Sequence, residues 1–195
     1  NDTINDTIND TYLEHFNVYF NMLLTCFFNH FHISKKNNSS IFLQNIQSVS
    51  SFDTFIQSFP INYLLLDSFY KQLHQQITFL EDNSLTFTLL QPEHFLVINN
   101  QFLVISNLQF ITPISNNTIY VQDIILKNTP FISNDIIQQK VLPFTIHQNN
   151  IYQNIYNIFY FIIHKYNLTI QDTPLFYNLV RLNAFNANKR FFLLI

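Results

Sequence analysis

Glu93 and His94 stand side by side in the run Thr88-Leu89-Leu90-Gln91-Pro92-Glu93-His94, just ahead of the apolar stretch Phe95-Leu96-Val97-Ile98. A carboxylate can act as a general base, and an imidazole as a base or a metal ligand. Neither chemistry finds company here. No Cys or acidic partner sits at ligand spacing from His94, so it reads as a surface or core histidine and no metal is expected. His30 and His32 are two apart at the end of an apolar helical run, a spacing that suits a turn better than a metal site. Ser and Thr are plentiful, yet a Gly-x-Ser-x-Gly nucleophile elbow is impossible in a chain without glycine. Cys26 is the only cysteine, so no internal disulfide can form. It reads as a small buried hydrophobe, and the chain fits a reducing compartment.

The elements that must position these residues follow from hydrophobic period. Residues 1–11 repeat Asn-Asp-Thr-Ile, a polar low-complexity run expected to form a disordered tail. From 12 to 33, Phe16, Phe20, Leu23, Leu24, Phe27, Phe28 and Phe31 recur at helical spacing and predict a long helix with a core-facing Phe stripe. Residues 35–40 read as a polar loop. Residues 41–59 alternate in part, predicting two strands ended by Pro60. Leu66, Phe69, Leu73, Ile77 and Leu80 mark an amphipathic helix. Two short strands follow at 95–98 and 102–105, joined by Asn99-Asn100-Gln101, because Asn tolerates positive φ. Residues 106–149, with Pro113, Pro130 and Pro143, read as a long irregular connection, functional or disordered. Residues 151–163 are apolar all round and predict a central buried helix. Pro174 opens a further helix through Leu182. The order predicts an α+β fold, mainly α in its second half.

Bulk composition narrows the function classes. The 195 residues are 48% hydrophobic and include 23 Phe, enough for one globular domain with an aromatic core. Charged residues make up 11%, so Asn, Gln and Ser must carry solubility. The abundance of Asn and Ile suits an AT-rich genome. The net charge is −3, with no basic run, which disfavours nucleic-acid binding. No stretch reaches about 18 uninterrupted apolar residues. Asn17, Asn21 and Asn29 break one candidate span, and Gln153, Asn154 and Asn157 the other. A membrane role is expected only through a larger assembly. No signal peptide is visible. Asn-x-Thr sequons such as Asn116-Asn117-Thr118 arise by chance in so Asn-rich a chain.

Taken in order, several stretches resemble landmarks of the eukaryotic protein-kinase family. Residues 85–97, with Leu90, Pro92, Glu93 and the strand after them, are similar to the catalytic loop H-R-D-L-K-P-E-N and its strand. Ser106-Asn107-Leu108-Gln109 stands where the family has D-F-G. Pro130 to Ile137 is similar to the A-P-E region, and Asn150-Ile151-Tyr152 to the start of the buried helix beyond it. Asn186-Ala187-Asn188-Lys189-Arg190 resembles the D-P-x-x-R before the last helix. Upstream, His30-Phe31-His32-Ile33 resembles the H-P-N-I turn after helix αC. The resemblance spans residues 12–195. It implies a kinase-like large lobe over 61–195 and a truncated small-lobe remnant over 12–60, made of an αC-like helix and a strand pair.

The same resemblance implies that the chemistry is lost. Leu89 stands where the family has the Asp that accepts the substrate proton. Gln91 replaces the loop Lys, His94 the Mg²⁺-binding Asn, and Asn107 the D-F-G Asp. The αC Glu position falls near Asn21. The glycine loop and strand Lys that hold ATP phosphates are not expected in the chain, so no cofactor is expected. Pro92 and Glu93 are retained as folding residues. Asp135 and Arg190 match a conserved structural ion pair of the family and are expected to pair, buried or half-buried, and to anchor the long loop. The implied function is a pseudokinase: a protein-binding scaffold or allosteric regulator, intracellular and cytoplasmic, with an organelle as the other compartment. One alternative is a structural accessory subunit of a large membrane-associated assembly, such as an organellar one. A second is a divergent Ser/Thr kinase whose ATP-binding part lies outside this chain.

Overall fold

The computed structural model describes residues 2–37, 40–122, 131–139 and 141–167. Helix α1 (Asp2–Phe27) begins inside the Asn-Asp-Thr-Ile repeats. Their four-residue period lies close to the helical 3.6, and residues 2–11 are helical where a disordered tail is expected. The helix stops at Phe27, short of the predicted 33. The His30 and Phe31 amides both turn back to the Phe27 carbonyl at 2.9 and 3.3 Å. Strand β1 (His32–Asn37) then pairs antiparallel with β2 (Ser40–Gln44), so residues 35–37 and 40 are strand where a loop is expected.

Strand β3 (Val49–Ser51) leads into α2 (Phe52–Ser58), a helix where alternation predicts a strand. Ser51 explains the difference. Its hydroxyl accepts from the Thr54 amide at 3.2 Å, and Phe52, Phe55 and Ile56 then share one buried face. Helix α3 (Tyr63–Asp82) is capped likewise by Asn62, whose Oδ1 accepts from Leu65 N at 2.9 Å. Its predicted apolar positions, Leu66 through Leu80, are all buried.

Next come β4 (Leu85–Phe87), a 3₁₀ turn (Pro92–His94), β5 (Phe95–Ile98) and β6 (Phe102–Ile105). Asn99 and Asn100 sit at φ 52° and 58°, the left-handed conformation a tight hairpin needs. Asn116 and Asn117 repeat the device at φ 51° and 59°, joining β7 (Ile111–Ser115) to β8 (Thr118–Val121). Without glycine, Asn does this work. Helix α4 (Asn134–Ile137), β9 (Phe144–His147) and α5 (Asn150–Lys165) complete the described elements. Residues 106–149 are thus not simply irregular. Among the described residues this stretch carries three strands, β7 to β9. The predicted helix at Pro174 lies outside the described residues.

Among the described residues the fold is mixed α/β, with five α-helices and antiparallel sheets. The sheets are β1-β2, β3-β5-β6 and β4-β7-β8-β9. One buried cluster runs from Phe27 and Phe52 through Leu73 and Val97 to Phe159, across residue 60. A smaller cluster holds Leu89, Ile119, Val121, Ile132, Ile136 and Ile146. Helix α3 covers the edge of β6 with two glutamines. Gln72 accepts from Leu103 N at 2.6 Å and donates to Gln101 O at 2.9 Å. Gln76 accepts from Ile105 N at 3.0 Å and donates to Leu103 O at 2.8 Å. No described helix is long and apolar enough to cross a membrane.

Candidate functional site

The run 88–94 leaves β4 and is held from three sides. The Thr88 amide donates to the Phe110 carbonyl at 2.9 Å, continuing the β4–β7 pairing by one rung. Pro92 is buried at the first position of the 3₁₀ turn, where a missing N–H costs nothing. His94 closes that turn. Its amide donates to Gln91 O at 2.9 Å, and its Nδ1 accepts from Gln91 N at 3.2 Å. Its carbonyl takes both the amide and the hydroxyl of Ser106, at 2.8 and 3.0 Å. Its ring rests 5.4 Å from that of Phe110.

Burial lowers the His94 pKa, against an opposing pull from the Glu93 charge. The ring is therefore neutral near pH 7, with Nδ1 committed to the turn. Glu93 itself is exposed. Gln91 is buried. Among the described residues no cluster of three or more His, Cys, Asp or Glu could hold a metal ion.

Leu89 is buried in the smaller hydrophobic cluster. Leu90 is gripped through its backbone by Asn154 of α5. Asn154 Oδ1 accepts from Leu90 N at 2.7 Å, and Nδ2 donates to Leu90 O at 2.9 Å and to Phe131 O at 2.7 Å. One turn on, Asn157 Nδ2 donates to Phe131 O and Ile132 O at 3.3 and 3.1 Å. These two amides join residues 88–90 to residues 131–132. Asn150, at the start of α5, is also buried, but its Nδ2 finds no partner. The available signal was a polar residue repeated inside an otherwise apolar helix, at 153, 154 and 157.

Asn107 lies apart from His94 chemistry. Its Oδ1 accepts from Gln109 N at 2.8 Å, closing a local turn. It also lines an open cavity of about 810 Å³ between α1, β2 and the β5–β6 hairpin. At that cavity the Tyr19 hydroxyl of α1 donates to the Ile105 carbonyl, fixing the helix to the end of β6. Burial drives the Tyr19 pKa up and the His15 pKa down, so both are neutral at pH 7.

Asp135 is exposed on α4, and its backbone carbonyl accepts from Gln139 Nε2 at 3.2 Å. Arg190, its expected partner, lies outside the described residues. Leu89, Leu90, Gln91, Pro92 and His94 thus lie together in one buried loop whose polar groups are met by its own turn, by α5 and by residues 106 and 110. No protein-family profile matches the chain, and no curated protein matches it.

Proposed function

We propose that the chain is a non-catalytic domain of the protein-kinase type that acts by binding protein partners, as a scaffold or an allosteric regulator. The observation that carries this reading is the fate of residues 88–94. The position where a kinase loop presents its proton acceptor is Leu89, buried in a hydrophobic cluster. The next residues spend their polar groups on the turn itself and on α5. The carboxylate the loop leaves exposed is that of Glu93, outside the position matched to the proton acceptor. Support for the kinase-type frame is a part of the chain order: α3, then β4 and the 3₁₀ turn, then the β5–β6 hairpin, with the buried α5 following after β7, β8, α4 and β9.

The test is direct. Labelled ATP with Mg²⁺ or Mn²⁺ and generic protein substrates should give background transfer only. Thermal unfolding should also be unmoved by Mg-ATP, since a ligand stabilises the native state only as RT ln(1 + [L]/Kd). Transfer above background, abolished by Asn107→Ala, would overturn the proposal.

An accessory-subunit reading is favoured by Phe28 and Leu64, which are 64% and 62% exposed on α1's end and α3. A chain that sediments as a stable monomer at high concentration argues against that second reading.

A further inference from the structure

We infer that the cavity between α1, β2 and the β5–β6 hairpin is a binding site for an uncharged aromatic small molecule. Its size, about 810 Å³, lies within the range of pockets that enclose such ligands. Two separate sheets supply aliphatic walls: Ile41 and Leu43 from β2, and Leu96 and Val104 from the hairpin. Helix α1 adds the rings of Tyr12 and Phe16, which stack with centroids 6.4 Å apart. Aromatic faces beside branched aliphatic side chains favour a flat ring system.

The polar lining sets the charge of the ligand. Among the described residues, no Lys, Arg, Asp or Glu lines the cavity. Lys35 lies over the ring of Phe16 and donates to Asn17 Oδ1, so the lining itself offers a charged group no counter-charge. The Tyr19 and Ser106 hydroxyls are already donated to backbone carbonyls. The side-chain amide nitrogen of Asn107, the Gln109 carboxamide and the neutral imidazole of His15 also line the cavity and can meet one polar edge of a ligand. Few polar groups within an apolar lining are what fixes orientation in small-molecule sites. The inference needs no assumption about phosphotransfer and survives if that activity is found.

The experiment titrates the full chain with the neutral naphthalene dye Prodan and, separately, with the anionic naphthalene ANS. Fluorescence reads binding, and circular dichroism checks folding. Prodan should bind saturably at one site, at least about tenfold more tightly than ANS. Ile41→Trp, which fills the cavity from a partly exposed strand position, should weaken Prodan by at least about tenfold. If that variant does not fold, Leu43→Phe serves in its place. Asn107→Ala should weaken dye binding, with circular dichroism confirming that the fold survives loss of its bond to Gln109 N. Non-saturable uptake, equal affinity for the two dyes, or a folded filling variant that binds Prodan unchanged would each overturn the inference.

Discussion

Asn154 and Leu90 exchange two hydrogen bonds, amide to Oδ1 at 2.7 Å and Nδ2 to carbonyl at 2.9 Å, across 64 residues of sequence. A carboxamide presents a donor and an acceptor side by side, as the N–H and C=O of one strand residue do. It thus closes the loop backbone as a neighbouring strand would. Both partners are buried, so water cannot substitute if the side chain is lost.

Asn154→Ala should therefore destabilise the fold by about 2–4 kcal/mol, because it strands the Leu90 N–H and C=O and weakens the hold on Phe131. Urea unfolding measures it. Asn154→Asp keeps the acceptor and loses the donors, and should be no less damaging at neutral pH. A loss below about 0.5 kcal/mol for Asn154→Ala would show that the clamp is dispensable.

Glu81 gives a pH prediction. Its carboxylate accepts from the Tyr152 hydroxyl at 2.6 Å, and its second oxygen has no partner. Burial raises its pKa above the ordinary 4.5, the Tyr152 bond opposes, and Asp82 adds to the rise. The folded state thus holds this proton more tightly than the unfolded chain. The resulting stability is fully present below about pH 4.5 and is lost as pH climbs through the raised value. Glu81→Gln should remove that slope from the stability-versus-pH curve. Parallel curves for the two proteins across pH 4 to 7 would contradict the assignment.

Cys26 is pushed up to about 11 by burial. The thiolate is the reacting species, so alkylation by iodoacetamide at pH 7.5 should run at least about a hundredfold slower than for a free cysteine, and rise with pH. A rate matching free cysteine would mean that the thiol is not shielded.

Asp135 should behave as a surface residue. Its exposure predicts that Asp135→Ala changes stability by no more than about 1 kcal/mol, the scale of an exposed pair. Calorimetry that finds a loss of about 3 kcal/mol or more would restore a desolvated partner for it.

Period carried most of what was legible in the sequence. The amphipathic stripe of α3 and the Asn99-Asn100 hairpin are seen where they are expected, because long periodicity and left-handed Asn are strong local signals. Helix α2 was misread because a run of seven residues supports either period, and the Ser51 cap decides. Strands β7 to β9 were missed because Pro113 and the prolines at 130 and 143 suggest irregularity, while the pairing of β7 with β4 and of β8 with β9 is a longer-range fact. At the candidate site, the loop itself was legible from Pro92 and the following strand. The clamp was not, since Asn154 looks like an interruption until its partners across the fold are known.

The two glutamines of α3 carry a consequence for how the chain folds. Four helical residues rise about 6 Å, and two strand residues advance about 6.6–6.8 Å, so side chains one helical turn apart meet successive rungs of a parallel-running strand. Gln72 and Gln76 use this match, reaching β6 across only 27 to 31 residues of sequence. Such separations close cheaply compared with the 64 residues between Leu90 and Asn154. Helix α3 and the β5–β6 hairpin can therefore assemble first as a register-locked nucleus, with α5 docking later onto a loop already in place.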